Sequence, residues 1–328
     1  MAILAKSIGL RCHRMGAIEI SRPDARRAAL GGLIDYAGLF PPASLDMAGA
    51  VAGYRSARSS PDSWVADRFI CPASRLGELV GALAPTMTRG EDPWPLAVIA
   101  GSGWTESLTA DAGSVRMFSD TVGSAASIEL VEIRVPPEVA DDGRLLMTDG
   151  IAVLRAFQAI VLFEIPWNVD PGAAFDAIAE LREETSRAVG VKIRCGGLEA
   201  SLFPDPSAIA LFMAAAADRN LPMKATAGLH HPFRHIAPNT GFHHHGFVNI
   251  LAAAALASAG EGVATLVDVL SDGEAESFSI GRNGLTWRQY VVAADVLTGM
   301  RSEFFLGYGS CSFEEPISDL AELGALPA

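Results

Sequence analysis

The chain reads as an α/β protein, a single (β/α)8 (TIM) barrel with an N-terminal extension and a long His-rich loop after the seventh strand. Three observations predict it. Short apolar, β-branched runs recur at intervals of roughly 30 residues, the length of one strand, one crossover helix and two loops. The segments between them carry helix start signals. Only one glycine-rich turn follows an early run, Gly101-Ser102-Gly103, and it lacks the third glycine that an open, dinucleotide-binding sheet uses. That open sheet is the competing architecture.

Taken in order, the runs are LIDYA from Leu33, RFICP from Arg68, LAVIAG from Leu96, IELVEIRV from Ile128, IVLFEI from Ile160, VKIRC from Val191 and MKATA from Met223. Between them, Asp170 and Asp205 stand at N-cap positions, each followed by a proline, Pro171 and Pro206, in the first helical turn. Phe175, Ile178 and Leu181 then recur at helical spacing, and Gly190 and Asn220 are expected to cap helices in the left-handed conformation. After Met223 the rhythm breaks. FFLGYG from Phe304 is expected to close the barrel and FSIG from Phe278 to be an extra strand, with Glu314-Glu315-Pro316 opening a final helix. Residues 1–22 are expected to be a disordered lead-in and 23–328 one domain.

Half of the 328 residues are hydrophobic and 19% are charged, ample for a large core. A formal net charge of −13 argues against nucleic acid, whose phosphates need Lys and Arg. The four cysteines, Cys12, Cys71, Cys195 and Cys311, form no C-x-x-C pair and no dense framework, so they are read as reduced thiols in a cytoplasmic protein. Cys71, Cys195 and Cys311 fall near strand ends and read first as packing residues. No signal peptide or membrane span is expected. The expected partner is a small molecule, with the chain acting as a homo-oligomer.

Lys192 and Lys224 occupy equivalent places on consecutive strands, where a barrel's inward face would ordinarily be Val, Ile or Leu. Neighbouring parallel strands lie about 4.8 Å apart, so two ammonium groups at one depth influence each other. A lysine with a depressed pKa supplies the neutral amine that attacks a carbonyl. Carboxylates at comparable positions are Asp35, Glu129 or Glu132, and Glu164. Glu129 and Glu132 have opposite strand parity, so at most one is expected to face the lysines. The blander alternative turns the lysines outward or pairs them structurally.

LIDYAGLF followed by FICPAS, then IELVEIRV, VLFEI, VKIRCGG and MKATAGL, resembles in order and spacing the deoxyribose-phosphate aldolase-like class I aldolases over residues of about 33 to 230. The resemblance implies that Lys192 forms the Schiff base, that Lys224 lowers its pKa, and that Asp35 and Glu129 are the acid and base. Several positions depart from the family. It has Asp where Glu129 falls. Its Thr/Ser-rich turn after the first lysine is Ile193-Arg194-Cys195-Gly196-Gly197 here, and its Ser-Gly-Gly turn after the second is Ala225-Thr226-Ala227-Gly228. Substrate recognition is therefore expected to differ.

Six of the seven histidines, His230, His231, His235, His243, His244 and His245, crowd the segment after the second lysine. At the mouth of a barrel they could bind a divalent metal, move protons, contact substrate, or simply form a loop. Backbone amides at Gly196, Gly197, Gly228 and Gly307-Tyr308-Gly309-Ser310, with Arg194 and Thr226, are candidates for holding an anionic substrate. Three function classes follow. One is a class I aldolase-like lyase needing no cofactor. The second is a divalent-metal-dependent lyase, isomerase or hydrolase using the His-rich loop. The third is a non-catalytic small-molecule-binding barrel.

Overall fold

The computed structural model describes residues 24–87, 92–238 and 240–327; the expected lead-in over 1–22 lies outside them. Eight parallel strands close into a barrel: β1 (Ile34–Tyr36), β2 (Ala66–Pro72), β3 (Trp94–Ala100), β4 (Ala126–Arg134), β5 (Ile160–Glu164), β6 (Val189–Arg194), β7 (Met223–Thr226) and β8 (Phe305–Ser310). β8 closes the ring against β1, with Asp35 opposite Gly309. The chain is therefore a (β/α)8 barrel and not an open sheet.

Helices wrap the outside, and their starts follow the sequence signals. Asp170 accepts from Gly172 N and Asp205 from Ala208 N, each ahead of a proline in the first turn. Asn220 adopts the left-handed conformation as expected, but Gly190 does not cap a helix; Ser186 does, at φ 52°. Gly190 instead lies inside β6, where a Cβ would sit 2.3 Å from the carbonyl oxygen of Pro222 on the approach to β7. Close approach of two strands, and not a turn, accounts for this glycine.

The stretch between β7 and β8 is more than a loop. It holds a short hairpin pairing His235–Ile236 with His243–His244, the buried helix Phe247–Ser258, the helix Val263–Ser271, and a three-stranded antiparallel sheet, Phe278–Gly281, Gly284–Trp287 and Tyr290–Ala293. The FSIG run is thus a strand outside the barrel. One segment, Ala200–Asp218, is apolar and long enough by composition to cross a bilayer. Its helical part, Pro206–Asp218, buries Ile209, Ala210, Phe212, Met213 and Ala216 within the protein.

Strand alternation decides what enters the lumen. Tyr36 and Phe69 point outward, where they pack with Tyr54 of the helix Met47–Ser59 at ring separations of 6.0 and 5.4 Å. Val131, Ile133, Val161, Phe163, Val191, Ile193, Met223 and Ala225 likewise join the apolar layer between barrel and helices. Their neighbours must face inward. A separate small cluster of Ala37, Ile70, Ala97, Leu130 and Leu162 fills part of the lumen. Charged residues occupy much of the rest of the inward face.

Candidate active site

Alternation puts Asp35, Glu132, Glu164, Lys192 and Lys224 on the lumen side of β1, β4, β5, β6 and β7. Lys192 and Lys224 are Cα partners across β6 and β7, and Glu164 is the partner of Lys192 across β5 and β6. Lys192 Nζ lies 2.6 Å from Glu132 Oε2 and 2.8 Å from Glu164 Oε2. Lys224 Nζ lies 2.5 Å from Glu132 Oε1 and also contacts Asp35 Oδ2. The result is an unbroken chain of alternating charge, Glu164, Lys192, Glu132, Lys224, Asp35.

It continues downward. Asp35 Oδ1 accepts a hydrogen bond from Arg68 N at 2.9 Å and lies 3.5 Å from the Arg68 guanidinium, which also pairs with Asp67 and, at 3.0 Å, with Glu129. Glu129 is the odd residue of a bulge on β4, since Leu96 faces Ile128 while Ala97 faces Leu130. Its side chain is 41% exposed and sits on Arg68, away from both lysines. The choice between the two glutamates therefore falls on Glu132, and the acid/base place expected for Glu129 beside Asp35 and the lysines is not where it sits.

Burial and charge oppose each other throughout this network. Burial pushes the Glu132 carboxyl up, but the ammonium groups of Lys192 and Lys224 outweigh it and hold the group down at about 2. Burial pushes Lys192 down; Glu132 and Glu164 override that and raise it. The expectation that Lys224 depresses Lys192 thus fails in the resting arrangement, because a carboxylate stands between the two. Further along, burial, then Asp35 and Glu129, raise Asp67 to about 6 despite Arg68. Burial lowers Arg301, which donates to the carbonyls of Gly31 and Gly32, to about 10.

At the C-terminal rim, Arg194 is exposed and anchored by Nε to the Gly196 carbonyl at 2.9 Å. Arg134, one position pair beyond Glu132 on the same face of β4, is also exposed and is the Cα partner of Glu164. Thr226 Oγ1 approaches Gly309, where a Cβ would lie 3.0 Å away. Gly196 and Gly228 meet beneath Phe203: a Cβ on Gly196 would sit 2.8 Å from that ring and 3.0 Å from Gly228 Cα. Gly197 packs on Leu202, and Ser310 Oγ accepts from Ser312 N. Gly196 and Gly197 thus sit in close packing, and Gly228 also holds a left-handed φ of 72°.

The histidines divide. His245 is fully buried, donating Nε2 to the Pro204 carbonyl at 2.7 Å while Arg234 donates to Nδ1. His231 pairs with Asp319 and His230 with Glu315. His235 lies beside both His231 and His244, at ring separations of 5.1 and 5.6 Å, and His244 lies tilted against Phe203 at 4.5 Å. Burial first, then the neighbouring rings, push His244 down to about 4. His243 is exposed on the hairpin. Among the described residues, no group of three or more His, Cys, Asp or Glu is arranged to hold a metal ion.

Comparison with protein-family models and with curated sequences finds no match for the chain. Its own geometry must therefore carry the functional reading. Sequence reasoning passed over Arg68 and Arg134, although both were open to it: each shares strand parity with a lumen residue, Arg68 with Ile70 and Arg134 with Glu132.

Proposed function

We propose that the protein is a class I aldolase-like lyase in which Lys192 forms a Schiff base with a small, anionic carbonyl substrate. The observation that carries this reading is the enclosure of Lys192 and Lys224 in one barrel lumen with Asp35, Glu132 and Glu164 as their partners. A structural pair of lysines would need no such arrangement at the catalytic end of the fold. The order of these strands is also the order in which the chain resembles deoxyribose-phosphate aldolases.

Each group has a place in the chemistry. Lys192 rests as an ammonium ion and must lose a proton before it can attack. Glu164, 2.8 Å away and 13% exposed, is the acceptor nearest the mouth. Glu132 stays ionised and serves as the anchor of both lysines. The neutral amine adds to the carbonyl carbon, and Glu164 returns the proton as water leaves, giving an iminium that accepts the electron pair of the breaking carbon–carbon bond. Asp35 and Lys224 form the remaining proton-handling pair. Arg134 and Arg194 at the rim match an anionic substituent on the substrate.

Borohydride trapping tests the reading. Purified protein is incubated with acetaldehyde, pyruvate or dihydroxyacetone phosphate, reduced, and mapped by mass spectrometry. A reduced adduct on Lys192, absent from Lys192→Ala and kept in Glu129→Gln, is expected. If none of the three carbonyl compounds labels Lys192, the lyase reading falls and a binding barrel takes its place.

A further inference from the structure

A second cluster of reactive groups lies at the barrel mouth, outside the lysine network. Cys311 directly follows β8, and its Sγ is 3.9 Å from His230 Nε2, within hydrogen-bond reach for sulfur. The other ring nitrogen, His230 Nδ1, is 3.1 Å from Glu315 Oε2. Three separate segments supply these groups: the turn after β7, the end of β8 and the first turn of the helix Glu314–Glu322. We propose that Cys311 is a nucleophile activated by His230 and oriented through Glu315, and that it captures an aldehyde at the mouth of the barrel.

The order thiol, imidazole, carboxylate is the geometry that nucleophilic cysteines use, with the third group fixing the ring. The other described cysteines are unsuited to it: Cys71 and Cys195 are fully buried, and burial pushes both thiols up to about 12. Cys311 is partly exposed. His230 is raised to about 8, by its hydrogen bond with Cys311 first and by Glu315 as well, against the opposing effect of burial. Cys311 and Glu315 thus make His230 the more basic ring, whereas burial and the neighbouring rings push His244 down to about 4. The other groups around the pair are Tyr36, Glu314, and the His231–Asp319 pair with His235 beside it.

The surroundings favour addition over acyl transfer. Acyl transfer needs preorganised donors, commonly free backbone amides, for the tetrahedral oxyanion. Here the amide of Ser312 donates to Ser310 Oγ and that of Glu315 to Ser312 Oγ. Addition to an aldehyde needs only one proton donor. His230 Nε2 takes the thiol proton as sulfur forms a bond to the carbonyl carbon, the π pair moves to oxygen, and the same proton passes to that oxygen, leaving a thiohemiacetal and a neutral imidazole. No leaving group or oxidant is involved.

The test uses the full-length protein, iodoacetamide at pH 7 and mass-spectrometric mapping of the Cys311 peptide, with acetaldehyde as the competing probe. Cys311 should be alkylated at least tenfold faster in wild type than in His230→Gln, with Glu315→Gln between them. Acetaldehyde should slow this alkylation in wild type and equally in Lys192→Met, which separates the result from any Schiff base. Equal rates in wild type and the His230 variant, or no protection by acetaldehyde, would overturn the proposal. Should His230→Gln fail to fold, Glu315→Gln carries the comparison, since it leaves the ring in place.

Discussion

Lys192 and Lys224 are Cα partners on adjacent strands, yet their ammonium groups do not face each other. Each takes one oxygen of the same carboxylate, Glu132, at 2.6 and 2.5 Å. Two like charges in a buried lumen are stable only with such a bridge. Replacing Glu132 with Gln leaves both ammonium groups short of a counter-charge. We expect a loss of about 3–5 kcal/mol in urea unfolding. The Glu132→Gln/Lys224→Met double variant should cost less than the sum of the single changes, because the partners share one network. Additive losses would show that the bridge is not what holds the lysines.

His245 predicts a pH dependence. Burial first, and Arg234 beside it, depress its pKa from 6.5 to about 4, opposed by the Pro204 hydrogen bond. The unfolded chain therefore takes up a proton between pH 6.5 and 4 that the folded chain refuses, and stability falls as pH is lowered through that window. The contribution, present in full above pH 6.5, is about 3 kcal/mol. Asp67, raised to about 6, acts with the opposite sign over part of the same range, so the difference between wild type and His245→Gln is the quantity to follow. That difference should shrink from pH 7 to pH 4; a constant difference would contradict the buried neutral ring.

Glu164 and Glu129 separate function from support. In the lyase reading Glu164 takes the Lys192 proton, so Glu164→Gln should slow borohydride trapping on Lys192 by about 10²–10⁴-fold, the usual worth of a general base. Glu129, on Arg68 and 41% exposed, should matter little when changed to Gln. Equal effects on trapping would move the proton-transfer role away from Glu164.

The barrel was legible because its evidence is local and repeated: strand composition, N-cap aspartates before Pro171 and Pro206, and a regular interval. Lumen residues were legible where alternation is unbroken, as for Lys192, Lys224 and Asp35. Parity left Glu129 and Glu132 undecided because a bulge is a matter of pairing between strands, and nothing in IELVEIRV marks which residue is extra. The charge state of Lys192 was beyond reach for a related reason. It depends on Glu132 reaching between two lysines, a contact across 60 residues or more that strand spacing alone predicts as repulsion. The His-rich segment hid its structure because His230 and His231 find their partners, Glu315 and Asp319, on the last helix.

Arg134 and Arg194 give the substrate prediction. Both continue the inward faces of β4 and β6 beyond Glu132 and Lys192, and both are exposed at the rim on either side of Glu164. Two guanidinium groups above a nearly balanced ion-pair chain favour an anion there, and the overall negative charge of the molecule means that the attraction is local to the rim. Inorganic phosphate is a sufficient probe. It should raise the melting temperature of wild type in a concentration-dependent, salt-sensitive way, because a ligand that binds only the folded state stabilises it by mass action. Arg134→Gln should weaken that shift, and the double variant with Arg194→Gln should remove it. In the lyase reading the same changes should raise KM for dihydroxyacetone phosphate while leaving borohydride trapping of acetaldehyde on Lys192 intact, since acetaldehyde has no anionic group to lose. A phosphate shift that survives in the double variant would place the anion elsewhere and detach these arginines from the site.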